Sequence, residues 1–178
     1  MASPYDDRSG YGGSSGFGDL TQIPIFSDVN FIKADARLSW AAAGIVSTPE
    51  NMARWAYELF SAKGSAVSPN VRAQLINSFR ETTISLGGAP QKYGYHIALR
   101  ELRLSDGSYV TTYGHPGGGA GYASALFYAP SLDLAISISA NSDLGFLLGS
   151  CASRSQNWLN PFDCITQDFF EIAQGAYE

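Results

Sequence analysis

"TTYGHPGGGAGYASALFYAP" (residues 111–130) sets one histidine and a run of glycines between two stretches that alternate as β-strands do. Upstream, residues 93 to 104 and 108 to 114 flank Asp106-Gly107, a dipeptide that strongly favours a two-residue hairpin turn, and they predict one antiparallel pair. Downstream, residues 121 to 129 and 132 to 140 predict a second pair. In "LDLAISISA" Leu132, Leu134, Ile136 and Ile138 recur with period two, which gives this strand a core face. Strands this close in sequence leave no length for the crossover helices of a parallel sheet, so the sheet is predicted to be antiparallel.

Helical periods flank the strands. Met52, Trp55, Ala56, Leu59 and Phe60 fall at i, i+3, i+4, i+7 and i+8. Thr48 can cap that helix, Pro49 then takes the first helical position, Glu50 faces the positive helix end and Gly64 supplies the stop. "SPNVRAQLINSF" repeats the device, with Ser68 as cap, Pro69 after it, and Val71, Leu75 and Phe79 one turn apart. The two helices are expected to pack antiparallel. From Asp163 to about Gly175, Ile165, Phe169, Ile172 and Ala173 predict a closing helix with an apolar stripe. Helices, then strands, then a helix read as an α+β fold, an antiparallel sheet with packed helices.

Composition narrows the function classes. With 178 residues, 45% hydrophobic and 15% charged, the chain can bury one sizeable core. A net charge of −5 and 11 Lys and Arg without a basic run argue against a nucleic-acid surface, which needs clustered cations. No apolar stretch reaches the roughly 18 to 20 residues of a membrane span, and no signal peptide is visible at the N-terminus. Cys151 and Cys164 do not combine with His96 and His115 into a zinc-ligand spacing, and no metal or other cofactor is implied. One disulfide between the two cysteines and two buried thiols both fit the sequence. Residues 1 to 19, rich in Gly, Ser and Asp, have no apolar period and are expected to form a disordered leader; "GYGGSSGFG" within them matches no phosphate loop. Residues 20 to 178 then form the folded part.

The corner itself admits two readings. Gly117, Gly118 and Gly119 tolerate positive φ and can simply turn a strand. Alternatively, His115 at a strand end beside glycines can offer a ring N–H and open amides to an anion or a carbonyl. His96, within "YGYHIALRE", is read as a strand-face histidine, and the tyrosines at 93, 95, 109, 113, 122 and 128 as sheet packing. Tyr113 and Tyr122 flank the corner and could line a pocket.

"AAAGIVSTPENMARWAYELF", followed by "VSP", "YGYHI", "YGHPGGGAGYASALFYAP" and "LDLAISISAN", resembles the C-terminal half of the serine β-lactamase-like superfamily. That group holds class C β-lactamases, D-alanyl-D-alanine carboxypeptidases and β-lactamase-fold esterases. The likeness spans about residues 38 to 141, in the family's order and spacing. It implies an incomplete β-lactamase/transpeptidase-like fold in which His115-Pro116-Gly117 is the third motif, Lys-Thr-Gly or His-x-Gly in the family. By the same resemblance His115 would hold a substrate carboxylate or shape the pocket, and Gly117 would leave room for substrate. The Gly118 N–H would be one of two oxyanion-hole donors.

Two motifs of that family are absent. No serine has lysine three positions on, the nearest being Ser61 with Lys63 two on, and no tyrosine has asparagine two positions on. Nucleophile and base are therefore not found, no catalytic residue is assigned, and the chain is read as the C-terminal part of a serine hydrolase, inactive alone, or as a non-catalytic binding remnant. A Ser-His-Asp triad around His115 is the lesser alternative, since any chain of this length offers serines and aspartates to pair with a histidine. The parent's substrate would be a small-molecule or peptide acyl compound. The resemblance also implies that residues 132 to 140 present an unpaired apolar edge, open to self-association or a complementing chain.

Overall fold

The computed structural model describes residues 45–82, 91–119, 122–140 and 161–177. The leader read at residues 1 to 19 lies outside them. Among the described residues two helices come first, α1 (Pro49–Phe60) and α2 (Pro69–Asn77). Both start as the sequence dictates, because each has a hydroxyl that satisfies an orphan amide and a proline where no amide is needed. Thr48 accepts from the Asn51 N–H at 3.2 Å and Ser68 from the Val71 N–H at 3.3 Å. Gly64 does not end α1, which stops at Phe60 with Ser61 as its cap. Its role is a close approach: a Cβ there would lie 2.3 Å from the Glu58 carbonyl oxygen.

Six strands follow, β1 (Arg80–Glu81), β2 (Gln91–Gly94), β3 (Ile97–Arg103), β4 (Tyr109–Gly119), β5 (Tyr122–Ala129) and β6 (Leu134–Ala140), in one sheet in sequence order. Every neighbouring pair is antiparallel. The α+β reading therefore holds, as one continuous meander. At its end β6 pairs with β5 and, among the described residues, with no other strand.

Three strand boundaries differ from expectation. Residues 93 to 104 are not one strand, because Tyr95 and His96 form a two-residue turn between Gly94 and Ile97, with φ of 44° and 61°. Both left-handed values match the primed hairpin turn, whose twist suits paired strands even where neither residue is glycine. His96 is thus a turn residue rather than a strand-face histidine. The glycine corner is likewise strand: β4 continues through His115, Pro116, Gly117 and Gly118 to Gly119, opposite Leu126 to Tyr122 of β5. Pairing with β5 overrides the turn preference of the glycines. At the third, Leu132 belongs to a short 3-10 turn, Pro130–Leu132, and β6 begins at Leu134.

Adjacent residues of β5 separate the two cores. Phe127, with Ala123 and Ala125, packs on Phe162 of α3 (Pro161–Tyr177), while Tyr128 packs on Ala56 and Phe60 of α1. Leu102, Val110 and Ala129 meet Phe170 of α3, with Leu134 and Ile136 against them. The sheet is thus sandwiched between helices, with Leu134, Ile136 and Ile138 facing α3 as their period requires. Trp55 and Val71, placed on the apolar stripes by period, are 50% and 42% exposed. The α2 residue that goes inside is Arg72, whose guanidinium donates to the carbonyls of Gly64 at 2.6 Å and Leu59 at 3.0 Å and so fastens α2 to the end of α1.

The closing helix presents a face other than the expected one. Phe169 and Ile172 are 52% and 69% exposed, and the buried side is Phe162, Asp163, Thr166, Gln167 and Phe170. A charge pair selects that face. Asp163 Oδ1 accepts from Arg100 Nη1 at 2.8 Å, with the two side chains 2% and 5% exposed, and the guanidinium also lies over the Phe127 ring. Turning Ile165, Phe169 and Ile172 inward would leave that arginine buried without its carboxylate, a loss larger than the exposure of two apolar side chains. Cys164, on the same helix, is disulfide-bonded; the only other cysteine in the sequence, Cys151, lies outside the described residues.

Candidate functional site

Antiparallel pairing brings the quoted corner against β5 on one side and past the end of β3 on the other. The β3–β4 ladder runs from Arg103–Tyr109 to Ala98–Gly114, and from His115 onward β4 pairs, among the described residues, with β5 alone. Alternate backbone groups of a strand point to opposite neighbours, so this overhang turns half of its amides and carbonyls away from the sheet. Gly118, the expected oxyanion donor, lies in the overhang opposite Ala123.

Glycine is required at two positions here. A Cβ on Gly114 would sit 1.8 Å from the Leu126 carbonyl oxygen, and one on Gly117 would sit 2.3 Å from Ser124 Oγ. The first is a backbone collision. The second meets the end of a side chain, so Gly117 keeps a space that Ser124 borders.

His115 is exposed, and both of its ring nitrogens have partners within the chain. Nε2 lies 2.9 Å from Tyr93 Oη, and Nδ1 contacts the Pro116 carbonyl oxygen. The two rings meet edge to face with centroids 5.8 Å apart. Tyr93 pairs with Ala98 of β3, and Ala98 with Gly114 of β4, so the Tyr93–His115 contact joins β2 to the strand beyond β3. Among the described residues the partners of the two nitrogens are a phenol and a carbonyl rather than a carboxylate, which is not the setting of the middle member of a Ser-His-Asp triad.

Beside this pair runs an aromatic wall. Tyr113 packs on Phe79 and Phe60, with centroids at 5.3 Å and 5.8 Å, and Phe60 stacks on Tyr128 at 6.0 Å. Burial, and then the Glu101 charge, raises the Tyr113 phenol above its ordinary value, and burial is the main cause that pushes Tyr128 up to about 12. Both stay protonated at neutral pH, so they act as donors rather than bases. Tyr122 opens β5 opposite Gly119.

At the far end of the wall Asp133, in the left-handed conformation with φ of 46°, gathers four donors. Ser61 Oγ at 2.6 Å and Tyr128 Oη at 2.9 Å donate to Oδ1; Lys63 Nζ at 2.8 Å and Tyr57 Oη at 3.2 Å donate to Oδ2. Hydrogen bonds from Lys63 and Ser61 hold this carboxyl well below the usual carboxylate range. Ser61 is fully buried and spends its hydroxyl proton on Asp133. The "SAK" stretch is therefore a latch between the end of α1 and the β5–β6 connection, and offers no accessible nucleophile.

Sequence reasoning ended the strand of Tyr113 at residue 114, set His115, Gly117 and Gly118 in a corner after it, and assigned Tyr93 to sheet packing. Its link to His115 depends on the turn at Tyr95-His96, whose composition is not that of a usual hairpin turn. Among the described residues no group of His, Cys, Asp and Glu is arranged to hold a metal.

Residues 2–148 match the Beta-lactamase family model, and the chain belongs to that family of β-lactamase-related hydrolases. The matched span includes the whole sheet and the His115-Pro116-Gly117 strand and ends before α3. Neither the curated proteins nor the solved structures contain a match to this chain.

Proposed function

We propose that this chain supplies the third motif and one oxyanion donor of a serine hydrolase that cleaves an amide, lactam or ester through an acyl-enzyme. The carrying observation is the overhang of β4, where His115, Gly117 and the Gly118 amide lie on a strand edge beyond β3, beside a space bordered by Ser124. A fixed amide aimed at a developing oxyanion needs no reorganisation during reaction, which is what such an edge provides. Tyr113 and Tyr122, on the strands around the corner, would line the pocket.

The sequence holds neither Ser-x-x-Lys nor Tyr-x-Asn, and this supports a chain without turnover of its own. Hydrolysis of a chromogenic cephalosporin and of p-nitrophenyl acetate tests it. The expected rates equal those of a His115→Ala control; turnover that is lost in His115→Ala would contradict the reading. The same absence supports the second reading, a non-catalytic module that binds an acyl compound in a retained pocket.

The side of β6 that meets no other strand among the described residues is proposed as the place where a second copy or a complementing chain adds a strand, since edge amides and carbonyls favour such pairing. Sedimentation over a range of concentrations is expected to show association. A monomer throughout, with a sharp cooperative melt, would contradict it.

A further inference from the structure

A carbonyl oxygen only accepts, so a hydrogen bond between His115 Nδ1 and the Pro116 carbonyl requires the proton on Nδ1. In the neutral ring Nε2 is then a bare acceptor, and Tyr93 Oη, 2.9 Å away, donates to it. Neither nitrogen is left with an N–H to give to a ligand. The group of this pair with spare capacity is the phenol oxygen, whose proton is committed to Nε2 and whose lone pairs are open. Tyr93 is half-buried and His115 exposed, so the pair borders solvent at the overhang of β4.

We propose that Tyr93 is a positioning residue that fixes the tautomer and ring orientation of His115, and that its phenol oxygen is the ligand-reading atom of this corner, accepting from an N–H or O–H of the acyl compound. This rests on the acyl-site reading above and alters it at one point. A ligand carboxylate finds no donor on the neutral imidazole, whereas the amide N–H of an acylamino side chain finds an acceptor on Tyr93.

The test is nitrogen NMR of the histidine-labelled full chain, with His96→Asn to assign the signals, because the chain has two histidines. In the neutral wild-type ring, Nδ1 is expected to be protonated and Nε2 bare. In Tyr93→Phe the Nε2 resonance shifts as its donor is lost, and the Nε2–H tautomer grows. A wild-type ring protonated on Nε2, or an Nε2 signal unchanged in Tyr93→Phe, would overturn the positioning role. The wild-type spectrum alone decides if Tyr93→Phe does not fold.

Benzylpenicillin, which carries an acylamino N–H, is then added. Shifts at His115 that disappear in Tyr93→Phe support the phenol as the reading atom, and equal shifts in both proteins overturn it. No shift in the wild type would sink the acyl-site reading, and the ligand half of this proposal with it, while the tautomer result still judges the positioning role separately.

Discussion

Asp163 on α3 accepts a hydrogen bond from Arg100 on β3 at 2.8 Å, with both side chains almost wholly withdrawn from water. That pair sets which face of α3 lies on the sheet. Removing one member leaves the other charge buried and uncompensated, so Asp163→Ala is expected to lower stability by about 3–5 kcal/mol. Replacing both residues with apolar ones of similar volume should cost far less. Urea unfolding midpoints of the single and double variants check this; a single-variant loss below about 1 kcal/mol would mean the pair does not hold α3.

The Asp133 latch gives the protein an acid limb. Its carboxyl titrates lower in the fold than the ordinary 3.8, so its contribution is full above that value and is lost as pH falls through and below it. Tyr128 behaves oppositely: its phenol is raised from 10.0 to about 12, so the associated stability is present below pH 10 and lost as pH rises through that interval. Melting temperature against pH should decline at both ends. Asp133→Asn is expected to flatten the acid decline, and an unaltered acid limb would refute the assignment.

Two glycines of β4 are predicted to respond differently to the same methyl group. Gly114→Ala drives a Cβ into the Leu126 backbone carbonyl and should destabilise by about 3 kcal/mol or more, with no single-site relief. In Gly117→Ala the obstacle is Ser124 Oγ, and with that atom removed by Ser124→Ala the nearest remaining contact is the Ser124 Cβ at 3.7 Å. The double variant should therefore recover most of the loss. A double-mutant cycle with no coupling would show that Ser124 does not border that space.

The turn at Tyr95-His96 holds two side-chain-bearing residues in left-handed backbone, each costing roughly 1–2 kcal/mol against the right-handed form. Replacing the pair with Asn-Gly, which adopts this turn readily, is expected to stabilise the fold by about 1 kcal/mol. Thermal unfolding measures it. A lower melting temperature would indicate that Tyr95 or His96 makes a contact worth more than the relief.

The same turn explains where sequence reading stopped. Caps at Thr48 and Ser68, the Asp106-Gly107 hairpin and the core face of β6 are local chemistry, and the structure has them where the pattern put them. Tyr95-His96 has no turn composition; only the pairing of Gly94 with Ile97 reveals it, and with it the link between Tyr93 and His115. The face of α3 was hidden for a similar reason. Ile165, Phe169 and Ile172 carry the stronger apolar period, but the partner that orients the helix, Arg100, lies 63 positions earlier. Gly117 to Gly119 read as a turn until β5 is laid beside them.

The most direct measurement of the central claim, that this chain carries a carbonyl-activating corner without a nucleophile, is intact mass after incubation with a fluorophosphonate, wild type beside His115→Ala. The account predicts no added mass on the folded chain, because no serine is followed by lysine at the third position and Ser61 is buried against Asp133. Stoichiometric labelling that depends on His115 would contradict it, since an activated serine would then have to lie within these 178 residues.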